Sequence, residues 1–112
     1  MPSNNVLANG QKLHPGESIF SPDGNTEFRC QTDGKVAVYR DGECVWQNTA
    51  EQRDDINAVV MQEDGNLVLY DNDDNPVWAT NTDGKGSTTI LVVQDDGNVV
   101  LYQGTPVWAT NT

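Results

Sequence analysis

The sequence predicts an all-β fold assembled from three similar units, and three observations support that prediction. A nine-residue phrase occurs at residues 31–39, 62–70 and 94–102, with offsets of 62 − 31 = 31 and 94 − 62 = 32 residues. A Val-Trp pair follows each copy at nearly the same interval. No stretch shows a convincing apolar period of 3.6 residues, so no helix is expected. Repetition at this interval indicates one supersecondary unit whose copies share a core.

The length and charge of the chain bound what it can be. Its 112 residues predict a single domain over 1–112, because a unit of about 32 residues is too small to fold alone. A formal charge of -11, from 17 acidic and 6 basic residues, makes nucleic acid and anionic membrane surfaces poor partners. No apolar run reaches membrane-spanning length and no signal peptide is recognisable, so membrane insertion is not expected. The compartment stays open between cytoplasm and secretion.

The predicted strands follow one another in a regular order. Residues 1–28 supply three leading strands, at 6–8, 11–13 and 18–20. Each repeat then forms a hairpin and a third strand. In the middle repeat a β-branched run ends at Gln62, Asp-Gly-Asn makes the turn, and a second run ends at Tyr70. A polar turn follows, and the third strand begins at Val77.

Alternation along the hairpins assigns side chains to two faces. Met61, Leu67 and Leu69 share the core parity, as do their counterparts Cys30, Val36, Val38, Val93, Val99 and Leu101. Gln, Asp, Asn, Val and Tyr of the phrase share the other parity and are expected on the solvent side. A tryptophan can be a platform for stacking sugars, but one per repeat at matched phase favours a shared core.

The cysteines and acidic residues do not indicate a metal site. Cys30 and Cys44 are both predicted to face the core as reduced thiols, since a pair of strand-skipping residues lies too far apart for a disulfide. One histidine and two cysteines give no zinc spacing. The acidic run 71–75 lacks the glycine and the terminal glutamate of a calcium loop, so a solvated turn is expected. No metal or cofactor is predicted.

The outward residues of the phrase have the chemistry of saccharide recognition. Two amides, a carboxylate and a phenol can satisfy hydroxyl groups in both directions, and a small valine can cover a C–H patch. The alternative is a cross-strand Gln–Tyr pair beside a favourable turn, which leaves the repeated grouping unexplained. The candidate residues are Gln62, Asp64, Asn66, Val68, Tyr70, Gln94, Asp96, Asn98, Val100 and Tyr102.

The pattern Gln-x-Asp-x-Asn-x-Val-x-Tyr resembles the mannose-binding signature of the monocot (bulb-type) mannose-binding lectins. The Trp-Ala-Thr-Asn-Thr segments that begin at Trp78 and Trp108 resemble that family too, as does the leading segment 10–17. The resemblance implies a β-prism II fold of three four-stranded antiparallel sheets with internal pseudo-threefold symmetry and the tryptophans on its axis. It also implies metal-independent, multivalent binding of α-D-mannose and mannose-terminated glycans or glycoproteins, and a homodimer that exchanges C-terminal strands.

The same resemblance implies a role for each candidate residue. Asp64 and Asn66 would bond the axial 2-hydroxyl of mannose, Gln62 the 3-hydroxyl and Tyr70 the 4-hydroxyl, while Val68 would lie against the ring carbons. The corresponding residues of the last repeat would act in the same way.

The first repeat departs from the pattern and is expected to be a degenerate third site. Gln31, Asp33 and Tyr39 are kept, but Lys35 replaces the asparagine and Ala37 replaces the valine. Lys35 loses an acceptor, can neutralise Asp33 and can project into the space of a sugar. We expect this site to be weak or inactive towards mannose, or turned to another ligand or to subunit contact.

An enzyme is not expected. A glycosidase needs two carboxylates at a fixed separation, whereas each phrase has one aligned aspartate in an exposed hairpin. No Ser-His-Asp or Cys-His constellation exists either, so no catalytic residue is proposed. The alternative to sugar binding is a lectin-like scaffold with a toxic, bacteriocin-like, taste-modifying or protein-interaction role.

Overall fold

The part of the protein that the structure describes is built from twelve short β-strands. Its computed structural model describes residues 5–48, 51–86, 88–103 and 105–110. Within these ranges no helix is long and apolar enough to cross a membrane. The strands are β1 (Val6–Leu7), β2 (Lys12–Leu13), β3 (Ser18–Phe20), β4 (Thr26–Cys30), β5 (Val36–Arg40), β6 (Glu43–Gln47), β7 (Ile56–Met61), β8 (Leu67–Asp71), β9 (Pro76–Ala79), β10 (Ile90–Val93), β11 (Val99–Gln103) and β12 (Thr105–Ala109).

These strands form three antiparallel sheets of four strands each, which confirms the predicted architecture. The first sheet has the order β3-β4-β5-β6, the second β2-β7-β8-β9 and the third β1-β10-β11-β12. Each sheet therefore takes three consecutive strands from one repeat and a fourth from the leading segment. The predicted hairpins are confirmed, with Cys30 opposite Val36, Met61 opposite Leu67 and Val93 opposite Val99.

The inner faces of the three sheets meet in one core. The residues predicted on the core parity of the hairpins are all buried. Trp46, Trp78 and Trp108 pack against this core and touch one another edge to face, with ring centroids 5.8, 5.9 and 6.0 Å apart. Aromatic rings favour this geometry because the positive edge of one ring meets the negative face of the next. The tryptophans therefore belong to the core, as expected.

The prediction for the cysteines is right for Cys30 and wrong for Cys44. Both are free thiols, but Cys30 is buried and Cys44 is exposed. Strand β6 is bulged against β5, so Trp46 lies opposite the core residue Val38 while Cys44 lies opposite the outward Tyr39. The extra residue in the bulge reverses the alternation, which strict counting by twos cannot anticipate.

Candidate functional site

The hairpin turns of the three repeats share one backbone geometry. In the second repeat Gln62 N–H donates to the Asn66 carbonyl at 2.9 Å, and Asn66 N–H donates to Asp64 Oδ1 at 2.9 Å. The third repeat has the same pair of bonds at 2.9 and 2.9 Å, and the first has them at 2.8 and 3.1 Å. The aspartate thus uses one oxygen to hold its own turn and keeps Oδ2 for other partners.

The glycine between aspartate and asparagine is required by both conformation and space. Gly65 has φ of 91°, which side chains rarely adopt, and a Cβ there would lie 2.8 Å from the backbone nitrogen of Gly86. The loop that contains Gly86 folds back on the turn, since Gly84 N–H and Gly86 N–H donate to the Asp64 carbonyl at 2.9 and 3.1 Å. This loop fixes one side of the second site.

The other two turns are supported by different segments. Arg53 N–H donates to the Asp33 carbonyl at 2.7 Å in the first repeat. In the third repeat the Arg40 guanidinium covers Gly97, and Asp23 N–H donates to Asp95 Oδ1 at 3.0 Å. The pKa of Asp23 is lowered, mainly by a hydrogen bond from the Ser21 hydroxyl.

A hydrogen bond to a neighbouring threonine orients the asparagine amides. Asn66 Oδ1 accepts from the Thr80 hydroxyl at 3.1 Å and from Thr82 N–H at 3.2 Å. Asn98 Oδ1 likewise accepts from the Thr110 hydroxyl at 3.1 Å. With the amide oxygen held in this way, Asn66 presents its Nδ2 group as a donor beside the Asp64 carboxylate. Sequence reasoning missed these threonines as positioning residues, because they lie 14 and 12 positions further along the chain.

Glutamine and tyrosine of each phrase are bonded across the hairpin. Gln62 Nε2 donates to the Tyr70 hydroxyl and Gln94 Nε2 donates to the Tyr102 hydroxyl. In the first repeat the polarity is reversed, and Tyr39 donates to Gln31 Oε1 at 2.7 Å. The structure therefore brings together the polar residues that the sequence predicted. Each tyrosine of the second and third repeats can still donate its own hydroxyl hydrogen.

The valines of the phrase do not stand in solvent as predicted. Val68 and Val100 are each only 3% exposed, although they lie outside the central core cluster. Both sit on the third strand of their sheets, where neighbours on either side cover a small side chain. They form the floor between the polar groups and do not protrude from it.

The neighbours of these valines on the adjacent strands are apolar. The residue at the same place in the first repeat, Ala37, has polar neighbours. Val68 lies between Val60 and Ala79, and Val100 lies between Val92 and Ala109. At the same places in the first repeat, Ala37 lies between Arg29 and Gln47. The first site thus differs from the other two on three adjacent strands, in addition to the substitutions at Lys35 and Ala37.

Lys35 also differs from its expected behaviour. It is only 8% exposed, and no salt bridge joins it to Asp33 among the described residues. Asn48 occupies the place of the orienting threonine, because Val36 N–H donates to its Oδ1 at 3.0 Å as Leu67 N–H does to Thr80. Lys35 and Asp33 thus form no ion pair among the described residues, and neutralisation of Asp33 by Lys35 stays a prediction.

Two clefts adjoin these sites, and the sequence did not reveal either. A cavity of about 350 Å³ beside the second site is bounded by Tyr70, Lys12 and Asp74. Another of about 350 Å³ is bounded by Asp33, Gln52 and Arg53 near the first site. Their walls come from segments distant in the chain, so spacing within a repeat carries no signal for them.

The acidic run after β8 is a structured turn. Asp71 Oδ1 accepts backbone N–H groups of Asp73 and Asn75, each at 2.9 Å, and Arg53 approaches Asp71 Oδ2 at 3.6 Å. Among the described residues no group of three or more His, Cys, Asp and Glu side chains is placed to hold a metal ion. The Asp71 carboxylate is thus committed to the turn.

Comparisons with known sequences find relatives over part of the chain. No family model matches it. Curculin-2 of Molineria latifolia is 30% identical over 70 residues, which is 62% of this chain and 43% of that protein. A mannose-specific lectin of Narcissus pseudonarcissus is 39% identical over 66 residues, or 59% of each. The matched stretch thus spans about half the length of these relatives.

Similarity to solved structures extends over nearly the whole chain. A Marasmius oreades lectin is 34% identical with a TM-score of 0.88, and the match covers 99% of this chain and 93% of that one. A snowdrop (Galanthus nivalis) mannose-specific agglutinin complexed with methyl-α-D-mannoside is 34% identical with a TM-score of 0.77, covering 96% of each. Lectins are carbohydrate-binding proteins and not enzymes, in agreement with the sequence. The chain belongs to the monocot (bulb-type) mannose-binding lectin family and has its β-prism II fold.

Proposed function

We propose that this protein is a metal-independent lectin that binds α-D-mannose and mannose-terminated glycans through its second and third repeats, with residues 1–112 acting as one lectin domain. The observation that supports this most is the identical set of side chains in both repeats, held by the same hydrogen bonds. The similarity to a snowdrop agglutinin that was solved with methyl-α-D-mannoside supports the choice of sugar.

The aspartate and the asparagine form a donor–acceptor pair for one hydroxyl group. Asp64 Oδ2 can accept the hydroxyl hydrogen while Asn66 Nδ2 donates to the hydroxyl oxygen. A charge-assisted bond of this kind contributes about 1.5–3 kcal/mol. We assign this pair to the axial 2-hydroxyl of mannose. Glucose, whose 2-hydroxyl is equatorial, would leave both groups unpaired and should bind more weakly.

The remaining residues fit the other parts of the sugar ring. Gln62 can accept from the 3-hydroxyl through Oε1, and Tyr70 can donate to the 4-hydroxyl. Val68 offers an apolar floor for ring carbons, and its neighbours across the sheet extend that floor. Gln94, Asp96, Asn98, Val100 and Tyr102 would make the same contacts in the third repeat.

Calorimetry with methyl α-mannoside tests this proposal. We expect about two sugars per chain, with or without a chelator, and weaker binding of methyl α-glucoside. Asp64→Ala and Asp96→Ala should each remove one site, because each loses a charged bond worth about 1.5–3 kcal/mol. Asp33→Ala is the matched control and should leave the mannose stoichiometry unchanged.

Two results would contradict the proposal. Absence of mannose binding under both conditions would favour the lectin-like scaffold with a toxic or protein-interaction role, and loss of binding only with chelator would show that a metal is needed. Three equal sites would contradict the assignment of the first repeat as degenerate.

We further propose that the protein acts as a homodimer through its C-terminal strand. A shallow site buries little of a monosaccharide, so single-site affinity should be near the millimolar range of about −4 kcal/mol. Linking sites raises avidity by roughly 10²–10⁴ where geometry permits. Strand β12 is an edge strand of its sheet, which makes it a candidate for exchange with a second copy.

Light scattering at micromolar concentration tests the dimer, together with retention on immobilised mannan. We expect twice the mass of one chain and tight retention. A monomer that is retained as tightly would show that two sites on one chain suffice.

A further inference from the structure

We propose that the outer face of the first sheet is a third saccharide site, and that it takes a sugar bearing a carboxylate or sulfate group. The ligand class differs from that of the other two repeats, although the site occupies the equivalent place. The inference concerns residues that mannose binding does not use, so it can fail while the proposed function holds.

The first observation is a nearly buried lysine whose ammonium has no anionic partner among the described residues. Lys35 is 8% exposed, and its ammonium makes no hydrogen bond or ion pair with any described residue. The ammonium nitrogen of Lys35 is not fully enclosed and still reaches solvent. A partly buried charge is costly unless it is paired, and an incoming anion would supply the pair.

The second observation is a side-chain donor without a partner among the described residues, at the place of the orienting threonine. Asn48 Nδ2 is buried and has no hydrogen-bond partner within the described part of the chain. In the other repeats the corresponding hydroxyl group donates to the oxygen of an asparagine, as Thr80 does to Asn66. Lys35 stands at that asparagine's position and offers no side-chain acceptor. Asn48 Nδ2 thus lacks the acceptor that the asparagine oxygen supplies in the second repeat, and a ligand oxygen that reached it would provide one.

The third observation is a second cation on the same face. Arg29 lies opposite Ala37 on the neighbouring strand, and its guanidinium is 5.7 Å from the centre of the Tyr39 ring. Valine stands at the place of Arg29 in both other repeats. Ala37 stands where the other repeats have a valine, and it is fully buried beside Arg29.

Two carboxylates lie near this face, and each already accepts one hydrogen bond. Asp33 Oδ1 accepts Lys35 N–H at 3.1 Å. Glu27 accepts the Ser18 hydroxyl at 2.5 Å and lies 3.9 Å from Arg29 Nε. Neither carboxylate forms an ion pair with the Lys35 ammonium among the described residues, on a molecule whose formal charge is -11. Long-range repulsion from that charge is screened beyond about 8 Å at physiological salt, so the local cations can still attract an anion.

The retained residues indicate that the anion belongs to a sugar. Gln31, Asp33 and Tyr39 keep the polar types that serve hydroxyl groups in the other repeats, and the turn backbone is the same. Replacement is confined to the asparagine, the valine and their surroundings. The site therefore keeps the features suited to a pyranose and gains those suited to a negative group.

Titration in saturating methyl α-mannoside tests this inference, because the other two sites are then occupied. The probes are methyl β-glucuronide, glucose 6-sulfate, methyl α-glucoside and inorganic sulfate. We expect one additional site for at least one of the two anionic sugars, weaker binding at higher salt, and none for the neutral glucoside. Lys35→Met should weaken the anionic sugar at least tenfold, whereas Lys12→Met, which removes a charge from the outer face of the second sheet, should change it less than twofold.

The controls distinguish loss of the site from loss of the fold. Each variant is first titrated with methyl α-mannoside, and two intact sites show that it is folded. If Lys35→Met does not fold, Arg29→Gln on the neighbouring strand provides the second test and should also weaken the anionic sugar. Absence of any anionic sugar binding, binding unaffected by these variants, or inorganic sulfate binding as tightly as the sugars would overturn the inference.

Discussion

Single side chains differ between repeats whose backbones are alike. The three turns have the same hydrogen bonds, yet an oriented amide, Asn66, stands in the second repeat where the first has the nearly buried Lys35. The residue that orients the amide differs too, because the first repeat has Asn48 at the place of Thr80 in the second. A change in ligand class thus requires a coordinated set of residues around the turn.

The two cysteines should differ sharply in reactivity. Burial raises the pKa of the Cys30 thiol to about 11, so almost no thiolate forms at neutral pH, whereas Cys44 is exposed. We expect a thiol reagent at pH 8 to label only Cys44 in the native protein. Mass spectrometry of the labelled protein checks this, with Cys44→Ser as the control. Rapid double labelling without denaturant would contradict the placement of Cys30.

The sequence predicted the polar residues of the sites but not the burial of their neighbours. The phrase revealed Gln, Asp, Asn and Tyr because their types repeat at fixed parity. It could not show that Val68 is covered, since this depends on residues from adjacent strands. The exposure of Cys44 was hidden for a related reason, because a bulge reverses the parity on which the prediction relied.

At the scale of the element, the hairpin turn is the unit that carries each site. Its glycine lets the chain reverse tightly and lets a second loop approach the turn, as the Gly86 loop does at Gly65. The sequence predicted these hairpins well, because turn residues between β-branched runs are a strong local signal. The supporting loops could not be predicted, because they differ in length and composition between repeats.

Gly65→Ala should destabilise the second hairpin more than a glycine substitution in open space. The new Cβ would meet backbone 2.8 Å away in addition to the strain of φ 91°. Gly24→Ala is the control, since its φ is 77° and no atom of the described residues lies within 4 Å of the place that its new methyl group would take. We expect a loss of about 1–2 kcal/mol for the control and a further 1–3 kcal/mol for Gly65→Ala in urea unfolding.

Mannose titration of the same variant locates the damage. We expect the second site to weaken while the third remains, so the stoichiometry should fall from about two to about one. Equal stability of the two variants would contradict the close packing of the loop against Gly65.

At the scale of the molecule, the three sheets depend on one aromatic cluster. Each tryptophan contacts the other two, so the three sheets share their contacts at the axis. A unit of about 32 residues could not bury enough surface by itself. Stability is therefore shared between the repeats even though the sites are separate.

Trp78→Ala should destabilise the whole molecule and not the second sheet alone. Removing a large aromatic side chain costs about 3–5 kcal/mol, a large share of a typical total of about 5–15 kcal/mol. We expect urea unfolding followed by far-ultraviolet circular dichroism to remain a single transition with a lower midpoint. Trp78→Phe keeps an aromatic ring and should lose less. A biphasic transition would contradict a common core.

The strand order also governs when the molecule can close during synthesis. Val6 of β1 pairs with Val92 of β10, so the third sheet is complete only after the chain has run through both other sheets. Strand β1 stays unpaired until β10 has been made. The β10–β11 hairpin has an open edge at β10 when it first forms. Contacts of such long separation slow folding, and an open edge can pair with another chain. Intermolecular strand pairing is therefore most favoured in the interval between formation of the β10–β11 hairpin and its pairing with β1.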